Sequence, residues 1–183
     1  GRDKVFDSEE AHGLYTLLLA VNHFSDRRLL RASLASSLLS LDYRQIAEIG
    51  ENETGWQNWC ENIRDLHLVW LKKGFIAMFQ QLLQQLQIGE NLAESSNAER
   101  SLTNLLHLAE LCQQQSQFSA GFDPLLAWYR KQIEEIAVED TELRLESDED
   151  LVKIVTIHKS KGLEYPVVFV PFLWTCRPAD IKA

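Results

Sequence analysis

The residues best suited to chemistry in this 183-residue chain gather in one short polar segment near its carboxyl end. Thr156, His158, Lys159, Ser160, Lys161, Gly162 and Glu164 stand between two apolar runs, Val152, Ile154, Val155 and Ile157 before them and Val167, Val168, Phe169 and Val170 after. Lys159, Lys161 and a donating His158 favour a phosphate-bearing partner, and Gly162, without a Cβ, lets a ligand or another backbone approach closely. Glu164 repels phosphate and suits a sugar hydroxyl or an ion pair. The order K-S-K-G differs from the G-x-x-x-x-G-K-[ST] phosphate loop. A solvated basic turn between two core strands accounts for the same residue types, so on chemistry alone both readings stand.

Elsewhere the candidates are fewer. Arg27, Arg28 and Arg31 make a second basic group, read as a solvated helix face with DNA contact as the alternative. Trp59, Ile63, Leu66 and Trp70 recur at helical spacing, which places the aromatics in a core ahead of a base-stacking role. Cys60, Cys112 and Cys176 are odd in number and lack C-x-x-C spacing, and His107 near Cys112 has no second pair, so neither a disulfide framework nor a metal site is expected. The nine acids from Glu134 to Asp150, against the single Arg144, read as a solvated linker, with no geometry for a metal-dependent nuclease.

The order of the residues says more than their types. T-I-H-K-S-K-G-L-E-Y-P-V-V, from Thr156 to Val168, resembles the fifth motif of the UvrD/Rep-type superfamily 1 DNA helicases, T-x-H-x-x-K-G-L-E-[FY]-x-x-V. Lys159 departs from the small residue usual there, and the H-K-S-K-G-L-E-Y-P form is most similar to the RecB-type branch of helicase–nuclease subunits. E-R-S-L-T-N-L-L-H-L-A-E-L, from Glu99 to Leu111, resembles a stretch the same branch carries upstream. The resemblance implies that Thr156, His158 and Lys159 meet single-stranded DNA, and that Lys161, Gly162 and Glu164 lie at the nucleotide, Glu164 through the ribose. It implies no catalytic residue in the chain, ATP and Mg²⁺ as cofactors of a larger parent but none bound by the fragment alone, and RecC and RecD as the parent's partners at duplex DNA ends in recombinational repair. Another UvrD- or AddA-like helicase fragment, and a stand-alone helical interaction module, are the alternatives.

The elements that must position this segment are mainly helical. Asp7 and Glu10 have capping-box spacing ahead of Leu14, Leu17, Leu18 and Val21, with Asn22 as the stop. Asp26 opens a second helix carrying Leu30, Leu34 and Leu38, and Asp42 with Gln45 caps a third through Ile49. A polar loop is expected from Gly50 to Gly55, then the tryptophan-bearing helix, closed by Gly74. Ile76, Phe79, Leu83 and Leu86 continue to Gly89, and a polar link runs to Asn97. A helix from Glu99 to Cys112 turns Leu102, Leu105, Leu106 and Ala109 inward, with a frayed glutamine tract after it. Asp123 and Pro124 start a last helix with Leu126, Tyr129, Ile133 and Ile136, and the acidic linker returns the chain to the strand at Val152.

About seven helices followed by two strands give too few strands for a sheet of their own. The predicted fold is mainly α with a small α/β part: a helical subdomain inserted in an incomplete RecA-like motor domain, both chain ends looking cut. On the resemblance, residues 1–40 and 145–183 are motor parts and 41–144 a helical body of the type called 2B. A net charge of −9 excludes a chain that coats nucleic acid over its whole surface, so any DNA contact is local. No apolar run approaches 18 residues and no signal peptide is visible, so a cytoplasmic setting is expected.

Overall fold

A computed structural model of the chain describes residues 5–93, 97–118, 121–148, 161 and 167–169. The chain divides into two compact units, Gly1–Leu145 and Glu146–Ala183. The first is a helical body: α1 (Glu9–Asn22), α2 (Arg27–Ser33), a 3-10 turn (Ser37–Leu39), α3 (Tyr43–Glu51), α4 (Glu53–Lys73), α5 (Phe75–Gln85), α6 (Ile88–Ala93), α7 (Ala98–Phe118) and α8 (Phe122–Asp148), the last running past the boundary.

Helix α1 is the centre of the body. Ala11, Gly13, Leu14, Leu17, Leu18, Ala20 and Val21 are all buried, so apolar positions wrap most of its circumference and neighbours cover it on several sides. It packs on α2, the 3-10 turn, α4 and α7. Asn22 does end it, but Ser8 rather than Asp7 is its cap, Oγ accepting from the Ala11 amide at 3.2 Å. Glu10 closes no capping box with Asp7; its carboxylate accepts from Asn104 Nδ2 of α7 at 3.0 Å. Gly13 lets the 3-10 turn lie on α1, where Ser36 Oγ donates to the Gly13 carbonyl at 3.0 Å and Ser37 Oγ to that of Glu9 at 2.9 Å.

Leu30, Leu34 and Leu38 are buried as expected, although α2 stops at Ser33 and Leu38 belongs to the 3-10 turn. The Asp42/Gln45 capping box forms in full, with both reciprocal bonds at 2.8 Å. The expected Gly50–Gly55 loop shrinks to one residue. Asn52 closes α3 with its amide and opens α4 with its side chain, Oδ1 accepting from Thr54 and Gly55 amides at 2.9 and 3.1 Å. Trp59, Ile63, Leu66 and Trp70 are the buried residues of α4, matching the predicted stripe. Gly74 follows with φ +86°, a backbone that glycine adopts without strain, and ends the helix there.

Several later expectations need correction. In α5 the buried face is Phe75, Met78, Phe79 and Leu82; of the predicted stripe Phe79 and, just past the helix, Leu86 are buried, whereas Ile76 is exposed and Leu83 half-buried. In α7, Leu102 and Leu106 are 41% and 51% exposed while Leu105, Leu108, Ala109, Leu111 and Cys112 are buried. The leucines there mark two overlapping stripes, and the packed one contains Ser101, Ala109 and Cys112, whose small side chains admit a close neighbour. Helix α7 also continues through the glutamine tract to Phe118, a short helix α6 occupies part of the expected polar link, and the acidic stretch to Asp148 is helical rather than a linker. Glutamate and glutamine are good helix formers, and α8 carries Arg130–Glu134 and Lys131–Glu135 pairs at 3.6 and 3.5 Å.

Tyr129 locks α8 to the centre, its hydroxyl donating to the Ala11 carbonyl at 3.0 Å and its ring stacked on Tyr15. Val5 and Phe6 are buried, Phe6 meeting Trp128 and Tyr129 edge-on, so this terminal segment is a core anchor. No strand occurs among the described residues. Val167, Val168 and Phe169, read as part of a buried strand, carry no strand geometry and are 71%, 64% and 87% exposed. A β-branched run becomes a strand only where a neighbouring strand takes its N–H and C=O groups, and none of the described residues supplies one.

Candidate nucleic-acid interface

Of the six residues assigned to DNA and nucleotide, only Lys161 is described; it lies in a turn and is exposed. Thr156, His158, Lys159, Gly162 and Glu164 lie outside the described residues.

The second basic group is defined in detail. Asp26 caps α2 by accepting from the Arg28 amide at 2.8 Å, and the same carboxylate pairs with the Arg28 guanidinium at 3.2 Å. Hydrogen bonds from the Arg28 side chain and backbone hold the Asp26 carboxyl below its usual range. Arg27 and Arg31, one turn apart on α2, behave differently: their guanidinium carbons lie 5.5 and 5.3 Å from the centroid of the Trp56 ring. The register that allows this comes from one turn further along α4. Trp59 Nε1 donates to the Leu30 carbonyl at 3.0 Å, pinning α4 to α2 and setting half-buried Trp56 under the two arginines. Trp59 and Trp70 are each 7% exposed, so the aromatic stripe is core and offers no ring to a base. Sequence reasoning missed Trp56; the signal available was the W-x-x-W spacing with Trp59 beside arginines spaced by four.

Other chemistry is limited. Among the described residues no group of three His, Cys, Asp or Glu side chains could hold a metal ion. Burial raises the thiol pKa of Cys112 far out of the reactive range and raises that of half-buried Cys60. His67 is stacked on Phe122 at 4.8 Å and bonded through Nδ1 to the Val21 carbonyl at 2.9 Å, a packing role. A cleft of about 390 Å³ lies where α1, the 3-10 turn and α7 meet, lined by Glu10, Arg100, Ser101 and Asn104 among others. Burial pushes the Glu10 carboxyl up, but donors from Ser101, Asn104, its own backbone and Ser8 outweigh this and leave its pKa lowered. Glu10 thus clamps α7 to α1 as an ionised acceptor.

A family model described as the UvrD-like helicase C-terminal domain matches residues 17–174. RecBCD enzyme subunit RecB of Haemophilus influenzae is 41% identical over 172 residues, 94% of this chain and 14% of that protein. The Escherichia coli subunit of the same name is 37% identical over 178 residues, 96% of this chain and 15% of that protein. That of Mycolicibacterium smegmatis is 30% identical over 179 residues, 94% and 16% respectively. The chain therefore spans about one seventh of the length of these curated relatives.

Proposed function

The chain belongs to the UvrD-like helicase C-terminal domain family, and from that premise we propose that it is a segment of a RecB-like, ATP-dependent DNA helicase and exonuclease subunit of recombinational repair. The observation that carries the reading is the string T-I-H-K-S-K-G-L-E-Y-P-V-V, which falls inside the matched residues 17–174. In this reading the parent works at duplex DNA ends beside RecC and RecD in the cytoplasm.

Within the parent, Thr156, His158 and Lys159 grip a single strand, the hydroxyl and imidazole by hydrogen bonds and the ammonium by charge. Glu164 takes a ribose hydroxyl, with Gly162 admitting the nucleotide and Lys161 adding a cation nearby. The chain's own groups fit only part of a nucleotide, since the sequence has no G-x-x-x-x-G-K-[ST] loop to cradle the phosphates. Bound ATP and Mg²⁺ supply the phosphoryl chemistry in the parent. Alone, this chain neither hydrolyses ATP nor cuts DNA.

The test is made in the full-length subunit within its complex. Glu164→Ala is expected to raise the KM for ATP, and Thr156→Val with Lys159→Gln to raise the DNA concentration that half-stimulates ATP turnover, each about tenfold for a lost charged or paired contact. Unchanged values for both variants would remove the motif from the site. DNA-stimulated ATP turnover by the 183-residue chain alone, abolished by Glu164→Ala, would overturn its assignment as a part.

A further inference from the structure

Among the cations of the helical body, Arg27 and Arg31 share one aromatic neighbour. Both are exposed, and both lie over one indole, 5.5 and 5.3 Å from the Trp56 centroid. Among the described residues no carboxylate is in ion-pair range of either guanidinium, and no hydrogen bond uses their N–H groups. Arg28 between them is neutralised by Asp26, so the contrast lies within one turn of helix.

Two like charges on one ring repel, and the ring's quadrupole offsets that only in part. What the ring does provide is order: it holds two long side chains against α4 while leaving their N–H donors unspent. A guanidinium in that state is preorganised for bidentate oxyanion binding, because less side-chain freedom is lost when the anion arrives. The indole itself, half-buried and covered by the arginines, is the shelf and not a stacking platform.

We propose that Arg27, Arg31 and Trp56 form a phosphate clamp for a nucleic-acid backbone, one guanidinium to each of two phosphates, separate from the Thr156–Glu164 segment. The choice of nucleic acid over an acidic peptide rests on the helicase reading; the clamp itself rests on the geometry. The site reads no base sequence, since it presents cations and no free ring or amide to a base edge.

The experiment measures the binding of the 183-residue chain to labelled oligo(dT) and to a duplex of the same length, from 50 to 200 mM salt. Neutralising two phosphates contributes a slope of about −1.4 in log K against log salt for a single strand and about −1.8 for a duplex. Over that range the wild-type affinity for oligo(dT) is expected to fall about sevenfold more than that of Arg27→Gln/Arg31→Gln. Arg27→Lys/Arg31→Lys should restore the slope but only part of the affinity, since it keeps the charges and loses the planar forks. The substrate whose slope falls by its expected amount in the glutamine pair, oligo(dT) or duplex, is the source of the phosphates.

An unchanged slope in the glutamine pair, with its far-UV spectrum intact, overturns the clamp. If Lys159→Gln/Lys161→Gln then abolishes binding, the clamp fails while the function proposed above stands; absence of wild-type binding at the lowest salt counts against both. Binding of labelled poly-glutamate that is lost in the glutamine pair, with no binding of either oligonucleotide, would reassign the surface to an acidic peptide.

Discussion

Replacing Gly13 by alanine should destabilise the helical body, although alanine is the better helix former by about 1 kcal/mol. Gly13 lies inside α1 with an ordinary helical backbone, so the penalty is steric. A Cβ built there would stand 2.5 Å from Ser37 Oγ, 3.0 Å from Ser36 Oγ and 3.1 Å from Leu38 Cγ. Neither hydroxyl is free to swing away, because Ser36 donates to the Gly13 carbonyl and Ser37 to that of Glu9. Making room means losing or stretching both bonds, at about 1 kcal/mol each, or shifting the 3-10 turn, an overpacking cost of about 1–3 kcal/mol. Against the propensity gain of about 1 kcal/mol, the net expectation is up to about 2 kcal/mol of lost stability, or several degrees in Tm for a chain of this size. Urea unfolding followed by far-UV circular dichroism measures it, with the slope m unchanged.

The control has the opposite sign. Gly50 is also helical, in α3, and a Cβ there meets nothing within 4 Å, so Gly50→Ala should stabilise by up to about 1 kcal/mol. Adding Ser37→Ala to Gly13→Ala removes the nearest atom and should recover part of the loss, a coupling of at least about 0.5 kcal/mol. Equal stabilisation by both glycine substitutions, or strict additivity with Ser37→Ala, would refute the claim that the turn rests on the bare backbone of α1.

Two further outcomes follow from the same packing. Because the Glu10 carboxyl has a lowered pKa in the fold, its ionised form contributes stability above the ordinary carboxylate range, and that contribution is lost as pH falls through the folded value. Stability profiles of wild type and Glu10→Gln should therefore converge toward low pH and separate toward neutrality, with wild type the more stable. In a Cys176→Ser background, a thiol reagent at pH 8 should label Cys60 slowly and leave Cys112 unlabelled until urea unfolds the chain, since burial raises both thiols and buries Cys112 entirely. Rapid native labelling of Cys112 would mean that the α7 face opens.

Legibility in the sequence followed how many alternatives each stretch allowed. Helix α4 was readable because Trp59, Ile63, Leu66 and Trp70 define one stripe with polar residues between, and the Asp42/Gln45 box because its two bonds are local. Helix α7 was readable as a helix but not in its facing, since Leu102, Leu105, Leu106, Leu108 and Leu111 supply two stripes and only the neighbours decide between them. The Gly50–Gly55 loop and the acidic linker failed for a different reason. Glycine and a charge run weaken a helix by modest amounts, and Asn52 capping on both sides, or glutamates with strong helix propensity, outweigh that. The expected strand at Val167 depended on partners that local sequence does not contain. The motif from Thr156 to Val168 was legible as a string, whereas the Arg27–Arg31–Trp56 arrangement was not, because it exists only once Trp59 has fixed α4 against Leu30.

The net charge of −9, which argued against an extended nucleic-acid surface, bears differently on the helical body once the acids are located. Nine of the 27 acids fall between Glu134 and Asp150, where the only base is Arg144, so the other 166 residues hold 17 bases against 18 acids. Outside that segment the chain is close to neutral, and a polyanion approaching α2 meets the field of nearby side chains rather than of the whole molecule, since exposed charges beyond about 8 Å are largely screened at physiological salt. Near Arg27 and Arg31 the nearest acid on their own helix end, Asp26, is already spent on Arg28. Reversing the acidic segment's charge, for example by Glu134→Lys with Glu135→Lys, should therefore leave the salt slope contributed by the arginine pair unchanged, whereas a slope that tracks total net charge would show that the molecule's overall field, and not a local clamp, governs any contact with phosphate.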